Sequence, residues 1–367
     1  MTGAIPRERK HRSLKWTGVC AVLCVLSTAN IARADDSAAA VGAGGLVARR
    51  ETRIIMAKEV LKISPTKVVV DYDFRNDSDE DVTTEVAFPV PPYSDEIDEP
   101  AVSLESFSDF KVEVDGKPVS FKAEARAFLK RKDVTDLLYG DKIDIQSFGH
   151  YDQNKMIIHD LDRLPEKEQR RLETLGLFDL DPPKGNWIVH LQYHWTQRFP
   201  ARSTVHIRHE YTPIVGFTQI SIGDLEDALN HPHSTGSVHQ TSMLQSVCAE
   251  KPFLTAMEGK LRAIEARAKT DDERMSAGVA YPHWVDFILT SANTWRRPIE
   301  DFTLIVDRGA LNAGESKMLV SFCSPDGAPV EKIDSYRFKV HLTNLVPKTE
   351  LRIGFFDLPT ASQQPAK

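Results

Sequence analysis

His190, His194, His206 and Glu210 are side chains whose types and spacing could do chemistry. The segments 187–195 (WIVHLQYHW) and 204–211 (TVHIRHEY) alternate apolar and polar residues with the period of two of a β-strand. Suppose the two pair as a hairpin around Arg198-Phe199-Pro200-Ala201. The register that sets His194 opposite His206 also sets Gln192 opposite Arg208 and His190 opposite Glu210. Imidazoles and a carboxylate on one polar face would suit zinc or copper, and through it metal handling or metal-dependent hydrolysis. A slip of one residue would scatter the cluster, so this expectation rests on the register. His231, His233 and His239 form a second, loop-borne group, whereas His209 falls on an apolar face and reads as a core histidine.

The acidic stretch 71–81 packs six Asp and Glu residues into eleven positions. A calcium loop beginning at Asp77 would have Asp79 and Asp81 in place, but it needs Gly where Val82 stands and Glu where Phe88 stands. The stretch therefore reads as the water-facing end of a hairpin between strands 67–74 and 82–88, with acids that blunt a sheet edge. Other catalytic patterns fail in the same way. There is no G-x-S-x-G and no H-E-x-x-H, and Ser64-Pro65-Thr66-Lys67 is a turn entering a strand rather than the start of a helix. Gly42-Ala43-Gly44-Gly45 follows no strand that could make it a phosphate loop. Aromatic residues offer a binding alternative: Trp195, Phe199, Tyr211, Trp284 and Trp295 lie at strand ends or in connections. Trp295, followed by Arg296 and Arg297, is the expected exposed aromatic and the expected partner contact.

The elements that must position these residues are mostly short strands, and they are preceded by a leader. Residues 1–34 have a basic front, an apolar stretch of about 15 residues and Ala32-Arg33-Ala34 before Asp35. This is the layout of a secretory signal peptide cut after Ala34, and the apolar stretch is short of the roughly 20 residues a spanning helix needs. The leader holds six of the 46 Lys and Arg and one of the 53 Asp and Glu, which leaves 40 and 52, a net charge of −12. That balance excludes nucleic acid and anionic lipid as partners. Cys248 and Cys323 remain, and in an oxidising compartment they should pair.

Further strand patterns run at 110–114 and 119–125 around Asp115-Gly116, and then at 285–289, 302–306, 318–322, 336–342 and 351–355. The fold class they indicate is mainly β: an antiparallel β-sandwich over 35–359, built as one elaborated domain or as two lobes. Residues 127–184 read as a small helical excursion, with a helix over 165–175. A second helix over 252–268 carries an apolar stripe of Phe253, Leu254, Met257, Leu261 and Ile264. Residues 360–367 read as a disordered tail.

Longer strings then carry a resemblance. DDSAAAVGAGGLV after the leader, LKISPTKVVVDYDFRNDSDEDVTTEVAFPVP and VEVDGKPV form one group. HWTQRFPARSTVHIRHEYTPIVG, FILTSANTWRRPIEDFTLIVDRG and LVSFCSP form another. Together, in order from Asp35 to about Leu358, they resemble the bacterial exported family known as domain of unknown function 4424. The resemblance implies a cell-envelope protein with a signal peptide and supplies no catalytic residues. The expectation is a soluble periplasmic protein, non-enzymatic, with no cofactor, that binds a protein, peptide or glycan of the envelope. The alternative is the metal site described above.

Overall fold

A computed structural model describes residues 37–42, 45–94, 109–152, 155–231, 238–309 and 318–359. Residues 32–367 group as one compact unit. The leader with its cleavage site at Ala34 and Asp35, the 360–367 tail and His233 lie outside the described residues.

Three sheets dominate. The first runs Lys132–Asp133, Lys122–Leu129, Ile188–Phe199, Val82–Pro89, Ser37–Gly42 and Gly45–Ala48, with Tyr93–Ser94 beside Ile188–Phe199. The second runs Glu331–Lys332, Arg337–Leu345, Ile299–Asp307, Ile54–Ile63, Val68–Asn76, Ser203–Tyr211, Lys111–Val114 and Lys117–Pro118. Its ladders are antiparallel except where Ile299–Asp307 runs parallel to Ile54–Ile63. Period-two alternation explains why these sheets pack face to face. Val70, Tyr72, Phe74, Ile207 and Tyr211 of the second sheet and Val86, Phe88, Leu191, Tyr193 and Trp195 of the first are buried in one core. Each fully buried side chain of this size contributes roughly 1.5–3 kcal/mol over leaving it in water. The fold class expected from the strand pattern is the one observed.

The third sheet, Val215–Phe217, Val279–Phe287, Leu351–Asp357 and Leu319–Phe322, lies between that core and a helical layer. Val285, Phe287, Ile353 and Phe355 join the sandwich core, while Ala280, Trp284 and Phe356 face helices Ile222–Asn230 and Lys251–Glu265. The Lys251–Glu265 helix buries Leu254, Met257 and Leu261 of the expected stripe, with Pro252 in its first turn where a missing N–H costs nothing. Cys248 and Cys323 are joined by a disulfide, which ties this layer to the end of Leu319–Phe322. Residues 127–184 hold short helices Thr135–Gly140, His159–Asp162 and Glu166–Thr174 beside two-stranded ribbons.

Two expected hairpins are absent, for one reason. Val68–Asn76 pairs with Ile54–Ile63 and Ser203–Tyr211 in the second sheet, whereas Val82–Pro89 pairs with Ile188–Phe199 and Ser37–Gly42 in the first. Residues 77–81 and 200–202 are therefore two corners crossing from sheet to sheet, side by side. Asn76, fully buried, donates to the carbonyls of Glu80 and Phe199 at 2.9 and 3.0 Å. Arg202 Nε donates to Asp79 at 2.8 Å, Arg198 Nε to Asp81 at 3.0 Å and the Ala201 amide to Asp81 at 2.8 Å. Hydrogen bonds from Arg202 and Arg198 hold the Asp79 and Asp81 carboxyls below their usual range. The acidic stretch thus answers arginines of the neighbouring corner rather than ending a hairpin in water.

Candidate binding crevice

Where both sandwich sheets run out, their exits meet the third sheet. After Val82–Pro89 comes Val90-Pro91-Pro92: the Val90 amide still donates to the Leu191 carbonyl, the two prolines lack the N–H that would continue the ladder, and Tyr93–Ser94 then pairs again with the same strand at Val189 and Ile188. After Ser203–Tyr211, Pro213 interrupts in the same way, and Ile214 leads into Val215–Phe217. These two exits and the residues Trp284 and Asp286 line a small crevice, open to solvent. Tyr93, Tyr211 and Val90 are buried in its walls, while Pro92 is exposed at its mouth.

Trp284 is the centre of the arrangement. Gly216 is its direct partner across the ladder, and a Cβ on Gly216 would fall 1.9 Å from the indole. The ring therefore lies flat over bare backbone, a position that only glycine leaves open. Arg352 sits with its guanidinium carbon 5.5 Å from the Trp284 ring centroid, within cation–π range. Its Nε and Nη2 donate to the two Asp286 oxygens at 2.6 and 2.8 Å. Burial works against the Arg352 cation, but hydrogen bonds and charge from Asp286 outweigh it and raise its pKa. The Tyr93 hydroxyl donates to the Gln146 carbonyl at 3.3 Å, and burial pushes its pKa well above the ordinary value. No acceptor among the described residues takes the Trp284 indole N–H. The residues around the crevice include no histidine, serine or cysteine. This is a surface for stacking and burial, with one neutralised ion pair at its side.

The residues singled out for metal binding are not brought together. His190 and His194 alternate with the core residues Leu191, Tyr193 and Trp195, so they lie on the outer face of the first sheet. His206 and Glu210 alternate with Val205, Ile207 and Tyr211 and lie on the outer face of the second. His194 Nδ1 is 2.6 Å from Glu85, and His206 Nδ1 is 2.9 Å from Asp73. Glu210 pairs with Lys67 at 2.6 Å, whose hydrogen bond lowers its pKa. Burial lowers the pKa of His190, against a smaller opposing pull from Asp133. Among the described residues no group of three or more His, Cys, Asp or Glu is placed to hold a metal. The assumed register failed because strands adjacent in sequence entered different sheets.

Trp295 is also corrected: it is 1% exposed, with its ring 4.7 Å from Phe74 and 6.1 Å from Phe199, and it plugs the core. The Arg296 amide donates to the Ile54 carbonyl, and exposed Arg297 lies 3.9 Å from Glu300. Tyr211 and Trp284, both among the aromatic residues singled out by position, line the same crevice. Pro91, Pro92, Tyr93, Pro213, Gly216, Asp286 and Arg352 were not foreseen. The signal that could have found the crevice is a proline break at the end of one strand in each sandwich sheet.

No curated protein matches the chain. A solved structure from Legionella pneumophila, described as a candidate nutrient binding protein, is similar with a TM-score of 0.38 and 16% identity. The likeness covers 83% of this chain and 68% of that one, and at that score it carries no argument about function. The family model described as domain of unknown function (DUF4424) matches residues 34–353, and the chain belongs to that family.

Proposed function

We propose that this is a non-enzymatic binding protein of the bacterial cell envelope, exported to the periplasm, which holds a protein, peptide or glycan partner in the three-sheet crevice. The observation that carries this reading is the Trp284 indole, laid flat over Gly216 and only half-buried, at the meeting point of two proline-broken strand exits. Junctions between packed units are where binding sites concentrate, and aromatic residues with few polar groups are their usual lining. The lining holds no histidine, serine or cysteine, and its one carboxylate, Asp286, is engaged by Arg352, which favours binding over turnover. The leader supports export, and no helix among the described residues is long and apolar enough to cross a membrane.

A photocrosslinking amino acid placed at Ile214 or Pro92, in cells that make the protein, tests the reading. One envelope component should be captured there, and the adduct should disappear in Trp284→Ala. The captured protein should begin at Asp35. Hydrolysis of an envelope substrate by the purified protein, or adducts indifferent to Trp284, would overturn the proposal.

A further inference from the structure

Lys122–Leu129 lies near one edge of the first sheet, and its outer side is only partly covered. Lys132–Asp133 pairs with Phe128 and Leu129 alone, so no strand among the described residues flanks 122–127 on that side. Hydrogen bonds fix which backbone groups face out. The Ala127 amide donates to Thr135 Oγ1 and its carbonyl accepts from the Val134 amide, both at 2.9 Å and both on the outer side. Leu191, opposite Ala125, directs its carbonyl to the Val90 amide on its far side, so Leu191 and Ala125 exchange no hydrogen bond. The period of two then turns the N–H and C=O of Ala123 and Ala125 outward with those of Ala127. Among the described residues nothing pairs with the outward groups of either alanine.

We infer that this edge takes the same edge of a second copy of the chain, the two strands pairing antiparallel about a two-fold axis at Ala123. The interface is separate from the crevice and does not depend on it.

The occupant follows from backbone and charge together. Outward N–H and C=O groups two residues apart are completed by an extended chain, because each facing pair exchanges two hydrogen bonds. An antiparallel copy must set one outward-facing residue opposite another, and few registers do so. Centred on Ala125, Ala123 would face Ala127, whose groups Val134 and Thr135 already hold. Centred on Glu124, that carboxylate faces its own copy and Lys122 faces Arg126, so like charges are apposed. Centred on Ala123, Lys122 faces Glu124 once on each side of the axis. Lys122 is exposed and makes no ion pair among the described residues, so its ammonium is available to the partner. Such a contact is isologous and closes on itself, giving a dimer rather than a fibre.

Both edges of the second sheet are guarded. Lys117–Pro118 ends one side with a proline, and Glu331–Lys332 on the other side is two residues long. Charged side chains usually blunt an edge by repelling a copy of it. Here Lys122, Glu124 and Arg126 alternate in sign, so one register turns repulsion into attraction.

Sedimentation equilibrium of the purified protein tests the inference, and a monomer–dimer equilibrium is expected. Ala123→Pro removes the central donor without touching the ladder to Ile188–Phe199, and it should give a monomer with the parental far-UV circular dichroism. Lys122→Glu sets like charges opposite each other and should weaken dimerisation roughly tenfold, as should Glu124→Lys. Lys122→Glu with Glu124→Lys restores opposite charges and should return the parental dissociation constant. If Ala123→Pro fails to fold, this charge reversal decides alone. A protein that stays monomeric at every concentration, or a dimer that all these variants leave unchanged, overturns the inference. A monomer that captures a different protein through a photocrosslinking residue at Ala123 overturns the second copy as occupant and keeps the edge as a strand acceptor.

Discussion

Gly216 has no side chain because Trp284 occupies the space where one would begin. Gly216→Ala should therefore force the indole out, with an overpacking cost of about 1–3 kcal/mol read by urea denaturation. A red shift of tryptophan emission would report the ring's new exposure; an unchanged spectrum and midpoint would mean that the ring is not seated there. His283, one residue away, faces the opposite side of the same strand, with its ring 5.1 Å from Phe217. Its Nδ1 is buried without a hydrogen-bond partner among the described residues, and burial lowers its pKa below 6.5. The unfolded chain then binds a proton more readily than the folded one. Stability is full above pH 6.5 and falls as the pH drops through that value toward the lower folded pKa. Thermal midpoints between pH 7.5 and 5.5, above the carboxylate range, should fall on acidification, and His283→Gln should flatten the trend. At this scale the sequence was a mixed guide. It placed His209 in the core, where rings of Tyr72, Phe88, Phe110 and Trp195 surround it. It could not separate Trp284 from Trp295, because both flank the short strand expected over 285–289 and only packing decides which one is covered.

Alternation identified the strands but not their partners. The segments 187–195 and 204–211 formed strands as expected, yet each paired inside its own sheet, and the histidine cluster depended on their pairing with each other. A short connection between two alternating segments suits a hairpin and a sheet-to-sheet corner equally well. What distinguishes the corner here is complementary charge: Arg198 at the end of its strand and Arg202 in the connection match Asp81 and Asp79 in the other corner. Exposed pairs of that kind contribute little to stability, because water screens them. The buried link between the corners is Asn76, whose amide serves the Glu80 and Phe199 carbonyls while its oxygen accepts from the Ser78 amide at 3.0 Å. Asn76→Ala should cost about 2–3 kcal/mol in urea denaturation, since it strands buried backbone groups. Arg202→Ala should leave the urea midpoint nearly unchanged. The reverse order of severity would mean that surface charge holds the corners together.

On the scale of the molecule, the helical layer is held to the sandwich by hydrophobic burial under the third sheet and by one covalent link. Cys248 and Cys323 are 75 residues apart, so their bond removes a long loop from the unfolded ensemble, worth on the order of 4 kcal/mol. Cys248→Ala with Cys323→Ala should lower stability by about that amount in chemical denaturation, with the sandwich still cooperative. No change at all would point to a bond that does not form. The cysteine pairing could be read from composition and compartment, whereas the third sheet could not, because its strands alternate no differently from those of the other two. The parallel contact between Ile54–Ile63 and Ile299–Asp307 carries a consequence in time. A chain made from its N-terminus gains Val68–Asn76 almost at once as a neighbour for one flank of Ile54–Ile63, but the strand that covers the other flank is among the last to arrive. For most of synthesis, the centre of the largest sheet is its growing edge, open to any other strand that reaches it first.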